Sequence, residues 1–146
     1  MFDFSAEAGF VGLFAASFVA ATVLPGGSEF VLIAVIHRYP DAVWQAVGVA
    51  TAGNTLGGMT SYAAGRLIPN RVQHKAIIYL HRYGYWALLF SWVPLVGDAL
   101  AVAAGWLRFN PWIALVLFAI GKLARYALVA GGWNWFASAL LPRLVQ

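Results

Sequence analysis

The sequence predicts an all-α integral membrane protein. It is read as two inverted repeats, each a re-entrant broken-helix hairpin plus a spanning helix, with an interfacial amphipathic helix between them. Three observations predict this. Of 146 residues, 62% are hydrophobic and only 10% charged, whereas a soluble domain carries about 25% charged residues. So few charges cannot cover a water-facing surface. A second observation is a break that occurs twice, a proline followed four residues later by a carboxylate: Leu24-Pro25-Gly26-Gly27-Ser28-Glu29 and Val93-Pro94-Leu95-Val96-Gly97-Asp98. The third is a glycine plus a polar residue at a matched distance downstream of each break. Gly53-Asn54 starts 28 residues after Pro25, and Gly121-Lys122 starts 27 residues after Pro94. A charge at mid-bilayer costs about 2.5–3.5 kcal/mol on insertion scales, so carboxylates matched in this way suggest a built site.

The length fits a single transmembrane domain over residues 1–146. Repeat one covers about 8–65, the amphipathic linker about 66–84 and repeat two about 85–132. No Lys or Arg precedes the first apolar run. A cleaved secretory signal requires a positive start, so the N-terminus is expected to be kept. The first segment, about Ala8 to Leu24, is apolar and ends at Pro25. The second, about Glu29 to His37, rises only about 14 Å as a helix against about 30 Å of hydrocarbon. Arg38-Tyr39-Pro40-Asp41 reads as an interfacial turn with Asp41 as N-cap.

The third segment, about Ala42 to Gly65, is long enough to span and rich in small residues. Gly53 and Gly57 form a GxxxG pair, the pattern that lets another helix come close. Asn54 lies beside them. Residues Arg66 to Tyr83 alternate at helical spacing between an apolar set, Val72, Ala76, Ile77, Leu80 and Tyr83, and a basic set, Arg71, His74, Lys75, His81 and Arg82. That is the pattern of a helix lying in the membrane surface. His74 and His81 are read as interfacial residues, not metal ligands, because no third ligand is near. The fourth segment, about Tyr85 to Trp92, meets Pro94, and the fifth runs from about Ala99 to Leu107. Arg108-Phe109-Asn110-Pro111 is a second interfacial turn. The sixth, about Trp112 to Gly132, spans and carries Lys122 and Arg125 in its middle. Trp133, Trp135 and Phe136 fit an aromatic belt, and Leu141 to Gln146 reads as a short tail.

If both hairpins re-enter, Arg66, Arg71, Lys75, Arg82 and Arg108 share one face with no acid. Asp3, Glu7, Arg38, Asp41 and Arg143 share the other. The positive-inside rule makes the first face cytoplasmic. The linker 66–84 is then cytoplasmic and both termini lie outside. The halves are inverted relative to each other, as in many transporters. The alternative is that residues 85–107 form one Pro-kinked spanning helix.

Lys122, Arg125 and Tyr126 share a helical face, and Glu29 and Asp98 sit at the hairpin breaks. Should the hairpins meet, two acids and two cations gather near the midplane. Arg offers a phosphate a bidentate partner and Lys a point charge. A carboxylate caught between desolvation and nearby cations is a candidate proton carrier. The bland alternative is that the acids only neutralise the cations and fix the fold. The net charge of +4 is assigned to segment ends, not to nucleic-acid binding. Cysteine is absent, which removes disulfides and thiolate metal sites. No catalytic set, metal cluster or phosphate loop is visible, so neither an enzyme nor a cofactor is expected.

At Leu24-Pro25-Gly26, Gly53-Asn54 with Gly65-Arg66, Val93-Pro94 with Ala104-Gly105, and Gly121-Lys122, the chain resembles the DedA family. That family is also called the SNARE-associated Golgi protein or VTT-domain family, and the likeness is greatest to its short bacterial YqaA-like branch. The resemblance runs from about Phe14 to Ala130. It implies paired re-entrant hairpins in the bacterial inner membrane. It also implies transport of undecaprenyl phosphate or other lipids, dependence on proton motive force and, in eukaryotic relatives, lipid scrambling. Other bacterial members carry an acid in the first hairpin and two arginines six residues apart in the second. Here Trp92 and Asp98 stand at those two positions, and the intramembrane cations are Lys122 and Arg125. Glu29, Asp98, Lys122 and Arg125 are therefore the candidate substrate and proton-coupling residues. Pro25, Asn54, Pro94 and Tyr126 are expected to support them, with Gly53 and Gly57 packing helices. The expected function is a flippase-like transporter of a lipid or polyprenyl phosphate, with membrane lipids as partners. The alternatives are an ion-coupled transporter of a small solute and a non-catalytic membrane scaffold, and self-association stays open.

Overall fold

The computed structural model describes residues 4–22, 27–69, 78, 81–93 and 96–144. Pro25, Pro94 and most of the proposed amphipathic helix, including Arg71, His74 and Lys75, lie outside the described residues. Five α-helices make up most of the rest: α1 Phe4–Ala20, α2 Ser28–Arg38, α3 Val43–Leu67, α4 Val96–Trp106 and α5 Pro111–Leu144. A 3₁₀ turn at Pro40–Ala42 leads into α3, and a nine-residue 3₁₀ segment, Gly84–Trp92, precedes α4. No strand occurs among the described residues.

Local sequence and hydrogen bonding account for several helix ends. Past Ala20, the amides of Ala21 and Thr22 close turns onto the carbonyls of Phe18 and Val19. Gly27, just before α2, sits at φ 110, a conformation that suits glycine. Helix α5 starts with Pro111, and the Asn110 side chain accepts the Trp112 amide at 3.0 Å and the Ile113 amide at 3.4 Å. That combination is a strong helix start.

Two expectations about ends are corrected. Asp41 does not cap α3: the cap position is Ala42, with no side-chain hydrogen bond, because Asp41 is taken up in the 3₁₀ turn. Of the tail expected from Leu141 to Gln146, the described part, Leu141 to Leu144, is helical instead. Helix α5 continues to Leu144, its Ala- and Leu-rich run before Pro142 favouring helix.

Helix α5 is the one helix among the described residues that is both long and apolar enough to cross a membrane, over Pro111–Ala139. Helix α3 has the length, with 25 residues. Its Gly, Ser, Thr, Asn and Gln residues make it less apolar, in keeping with its central place: it packs against α1, α2, α4 and α5. Helix α2 has 11 residues and rises about 16 Å.

Close backbone contacts are made where glycine leaves room. Gly53 and Gly57 of α3 face the Phe14 and Phe18 carbonyls of α1, so α1 and α3 run parallel. Further along, Gly65 faces the Val102 carbonyl of α4, and Gly105 faces the Tyr62 carbonyl of α3. Gly121 of α5 faces the Leu89 carbonyl and the Ser91 side chain of the 3₁₀ segment.

The core consists of two apolar clusters. One joins Leu13 of α1, Leu32 and Ile36 of α2, Val47 and Ala50 of α3, and Tyr126 and Ala130 of α5. The other joins Tyr62 of α3, Leu88 of the 3₁₀ segment, Leu100 and Ala104 of α4, and Ala114 and Phe118 of α5. Helices α3 and α5 thus run antiparallel, and each passes from one cluster to the other.

Candidate functional site

Between the two clusters lies a polar layer. On α3 it falls between Ala50 and Tyr62, and on α5 between Phe118 and Tyr126. Its centre is Lys122, 2% exposed, and Asn54, 3% exposed. The Lys122 ammonium donates to the Asn54 backbone carbonyl at 2.9 Å and also to the Asn54 side-chain oxygen. The Asn54 amide in turn donates to the Ser17 carbonyl of α1 at 2.9 Å. Gly58 gives the ammonium its space, since a Cβ there would lie 3.2 Å from Nζ. A buried ammonium is tolerated only when its donors are satisfied, and Asn54 offers two acceptors from one residue.

One helical turn along α5, Arg125 forms an ion pair with Glu29 at the start of α2; the side chains are 15% and 20% exposed. The neighbouring residues pair as well. The Ser28 and Tyr126 hydroxyls are hydrogen-bonded at 2.9 Å, and the Ser28 hydroxyl donates to Glu29 Oε2 at 3.5 Å. The Arg125 guanidinium also lies 5.8 Å from the Tyr126 ring centroid. Two adjacent residues of α2 therefore latch onto two adjacent residues of α5.

Asp98, at the start of α4, is half-buried. It forms no ion pair with Lys122 among the described residues. The four charged residues thus come together unequally. Glu29 and Arg125 touch, Lys122 is held by Asn54, and Asp98 makes no direct contact with either cation among the described residues. Gly53 and Gly57 hold α1 against α3 at the same level. Pro25 and Pro94 fall outside the described residues. Among the described residues no group of His, Cys, Asp and Glu could hold a metal ion.

Sequence reasoning missed four hydroxyl residues. Ser28 is one, and its partner is Tyr126. The others, Ser17, Thr55 and Ser91, are buried with no hydrogen-bond partner for their hydroxyls among the described residues. Ser91 packs against Gly121, next to Lys122, and its backbone faces Gly97, next to Asp98. The available signal was weak: Ser91 stands alone among apolar residues three positions before Pro94, while Ser17, Ser28 and Thr55 share no common position.

Comparison with known proteins places the chain among inner membrane proteins. It is 46% identical over 133 residues to the inner membrane protein YqaA of Escherichia coli strain K12, an alignment covering 85% of this chain and 93% of that protein. The inner membrane protein YqaA of Shigella flexneri matches with the same identity and coverage. A Haemophilus influenzae protein described as uncharacterized is 39% identical over 126 residues, covering 78% of this chain and 80% of its own length. No family model matches, and no solved structure matches.

Proposed function

The chain belongs to the family of the inner membrane protein YqaA, and from that premise we propose that it is a bacterial inner membrane transporter for a lipid or polyprenyl phosphate. The observation that carries this reading is the polar layer. A buried Lys122 and a paired Arg125 sit in mid-course of a helix long and apolar enough to span. Intramembrane cations of this kind default to a functional hypothesis. The DedA resemblance points the same way.

Proton coupling belongs to the proposal. In the resting arrangement Glu29 occupies Arg125. A phosphate that takes over Arg125 displaces that carboxylate, and protonating it avoids excess negative charge in the apolar layer. Asp98 is the second acid available for the same role opposite Lys122. The protein is proposed to act without a cofactor and not as an enzyme.

Inverted repeats and re-entrant hairpins are also part of the proposal, and three contacts support them. Helices α1 and α3 run parallel, so the chain between them must return, and α2 is too short to cross. Helix α2 runs beside the second half of α5, with Glu29 at Arg125 and His37 stacked edge-on to Trp133 at 6.1 Å. Asn54 and Lys122, matched positions of the two halves, meet directly.

Lipid flux in reconstituted vesicles tests the function. Glu29→Gln and Arg125→Ala should each slow it, and unchanged rates in both would sink the idea. A scaffold reading is favoured by one observation: Arg125 and Lys122 both already have partners within the chain. It predicts that charge-conserving swaps are harmless while glycine substitutions disrupt assembly.

A further inference from the structure

A second basic feature lies apart from the polar layer. Where α4 turns into α5, a surface cavity of about 330 Å³ is lined by His81, Trp106, Leu107 and Arg108. Its volume lies within the ~300–1,000 Å³ of typical ligand pockets. His81 and Arg108 are exposed, and Trp106 is half-buried.

The frame of this cavity is pinned. The Trp106 indole donates to the Pro69 carbonyl at 3.2 Å. The Asn110 amide donates to the Tyr85 hydroxyl at 3.0 Å, and the Tyr85 and Phe109 rings lie 4.4 Å apart. The Tyr62 hydroxyl donates to the Phe109 carbonyl.

Arg108 itself is unusual. Helix α4 ends with the Arg108 amide bonded to the Gly105 carbonyl and the Phe109 amide to the Ala104 carbonyl, each at 3.0 Å. In that motif the residue after the cap is left-handed and usually glycine. Here it is Arg108, at φ 57, the one non-glycine residue with positive φ among those described. Glycine would fit this backbone better, so what the arginine contributes is its side chain. A left-handed non-glycine residue of this kind is a pointer to function.

The charge balance gives the ligand its sign. The sequence contains no Asp or Glu between Asp41 and Asp98, and none after Asp98. Asp98 lies at the other end of α4, about 12 Å of helix rise from Trp106. Among the described residues, Arg66 reaches the Tyr62 hydroxyl and Arg82 lies over the Tyr83 ring. The Arg108 guanidinium has no hydrogen bond, ion pair or ring contact there. A Trp beside an uncompensated Arg at a helix end is suited to the headgroup level of a bilayer.

We propose that Arg108, His81 and Trp106 form a binding site for a phosphate anion, as carried by the headgroup of an acidic phospholipid. The site stands whether or not the polar layer transports anything.

The test uses the purified full-length chain in a neutral detergent. Thermal unfolding is monitored while phosphatidylglycerol, phosphatidylcholine or inorganic phosphate is added. Wild type should be stabilised by phosphatidylglycerol and not by phosphatidylcholine. Arg108→Gly should unfold at or above the wild-type temperature without lipid, because the left-handed backbone is relieved. The same variant should need about fivefold more phosphatidylglycerol for the same stabilisation. Arg108→Lys should keep most of the response. A response to phosphatidylglycerol alone assigns the site to lipid, and an equal response to inorganic phosphate assigns it to the free anion. Equal stabilisation by both phospholipids, or an undiminished phosphatidylglycerol response in Arg108→Gly, would overturn the proposal.

Discussion

The Lys122 ammonium is bound by both oxygens of a single residue, Asn54. These residues come from the two long helices of the bundle, 68 positions apart in the chain. Their contact lies between the two apolar clusters.

Removing one member of this contact should cost far more than removing both. Asn54→Leu leaves the buried ammonium only the backbone carbonyl of residue 54 and should destabilise by about 1.5–3 kcal/mol. Replacing both, Asn54→Leu with Lys122→Met, should recover most of that loss, because two apolar side chains of similar volume suit the layer. Thermal unfolding in detergent reads the difference. Additive losses would show that the two side chains do not depend on each other.

The α2–α5 latch should behave as a coupled unit. A double-mutant cycle on Glu29→Gln and Arg125→Met should give an interaction energy of about 1–3 kcal/mol. Tyr126→Phe should cost about 1 kcal/mol through the lost Ser28 hydrogen bond. A cycle that closes at zero would mean that the pair is not formed in the bilayer.

Glycine substitutions should separate by position on α3. Gly57→Ala places a methyl against the Phe18 carbonyl and 2.8 Å from the Ala21 side chain. It should lower stability by about 1–3 kcal/mol. Gly48, on the same helix, has open space at its Cβ, so Gly48→Ala should be neutral or gain about 0.5–1 kcal/mol. The measurement is the unfolding midpoint of each variant.

Much of this arrangement was legible in the sequence. Helix positions could be read from apolar runs, and the matched Gly53-Asn54 and Gly121-Lys122 pairs marked the residues that meet. The partners were harder to read. The sequence treated Glu29, Asp98, Lys122 and Arg125 as one quartet. The structure gives Lys122 to Asn54, whose backbone and side-chain oxygens both face it from α3. Ser28, Ser17, Thr55 and Ser91 carry no periodic signal, because a small hydroxyl side chain fits an apolar helix about as easily as Ala and leaves the hydropathy pattern intact. The left-handed Arg108 was invisible for the opposite reason. Arginine near a helix end is ordinary on charge grounds, and only the backbone angle sets it apart.

Sidedness is open to a clean test because the chain has no cysteine. A single cysteine at Asp41 should react with an impermeant thiol reagent from outside the cell. Cysteines at Arg66 or Arg108 should react only after permeabilisation. Labelling of Asp41 and Arg66 from one side would contradict a membrane-crossing α3.

One variant separates the proposed transport of a phosphate-bearing lipid by the polar layer from folding. Lys122→Met combined with Asn54→Leu should fold and yet carry no intramembrane cation at the centre of the layer. In reconstituted vesicles, flux of a polyprenyl-phosphate probe should fall to the protein-free rate, while the unfolding midpoint stays near wild type. Flux equal to wild type in that folded variant would contradict the claim.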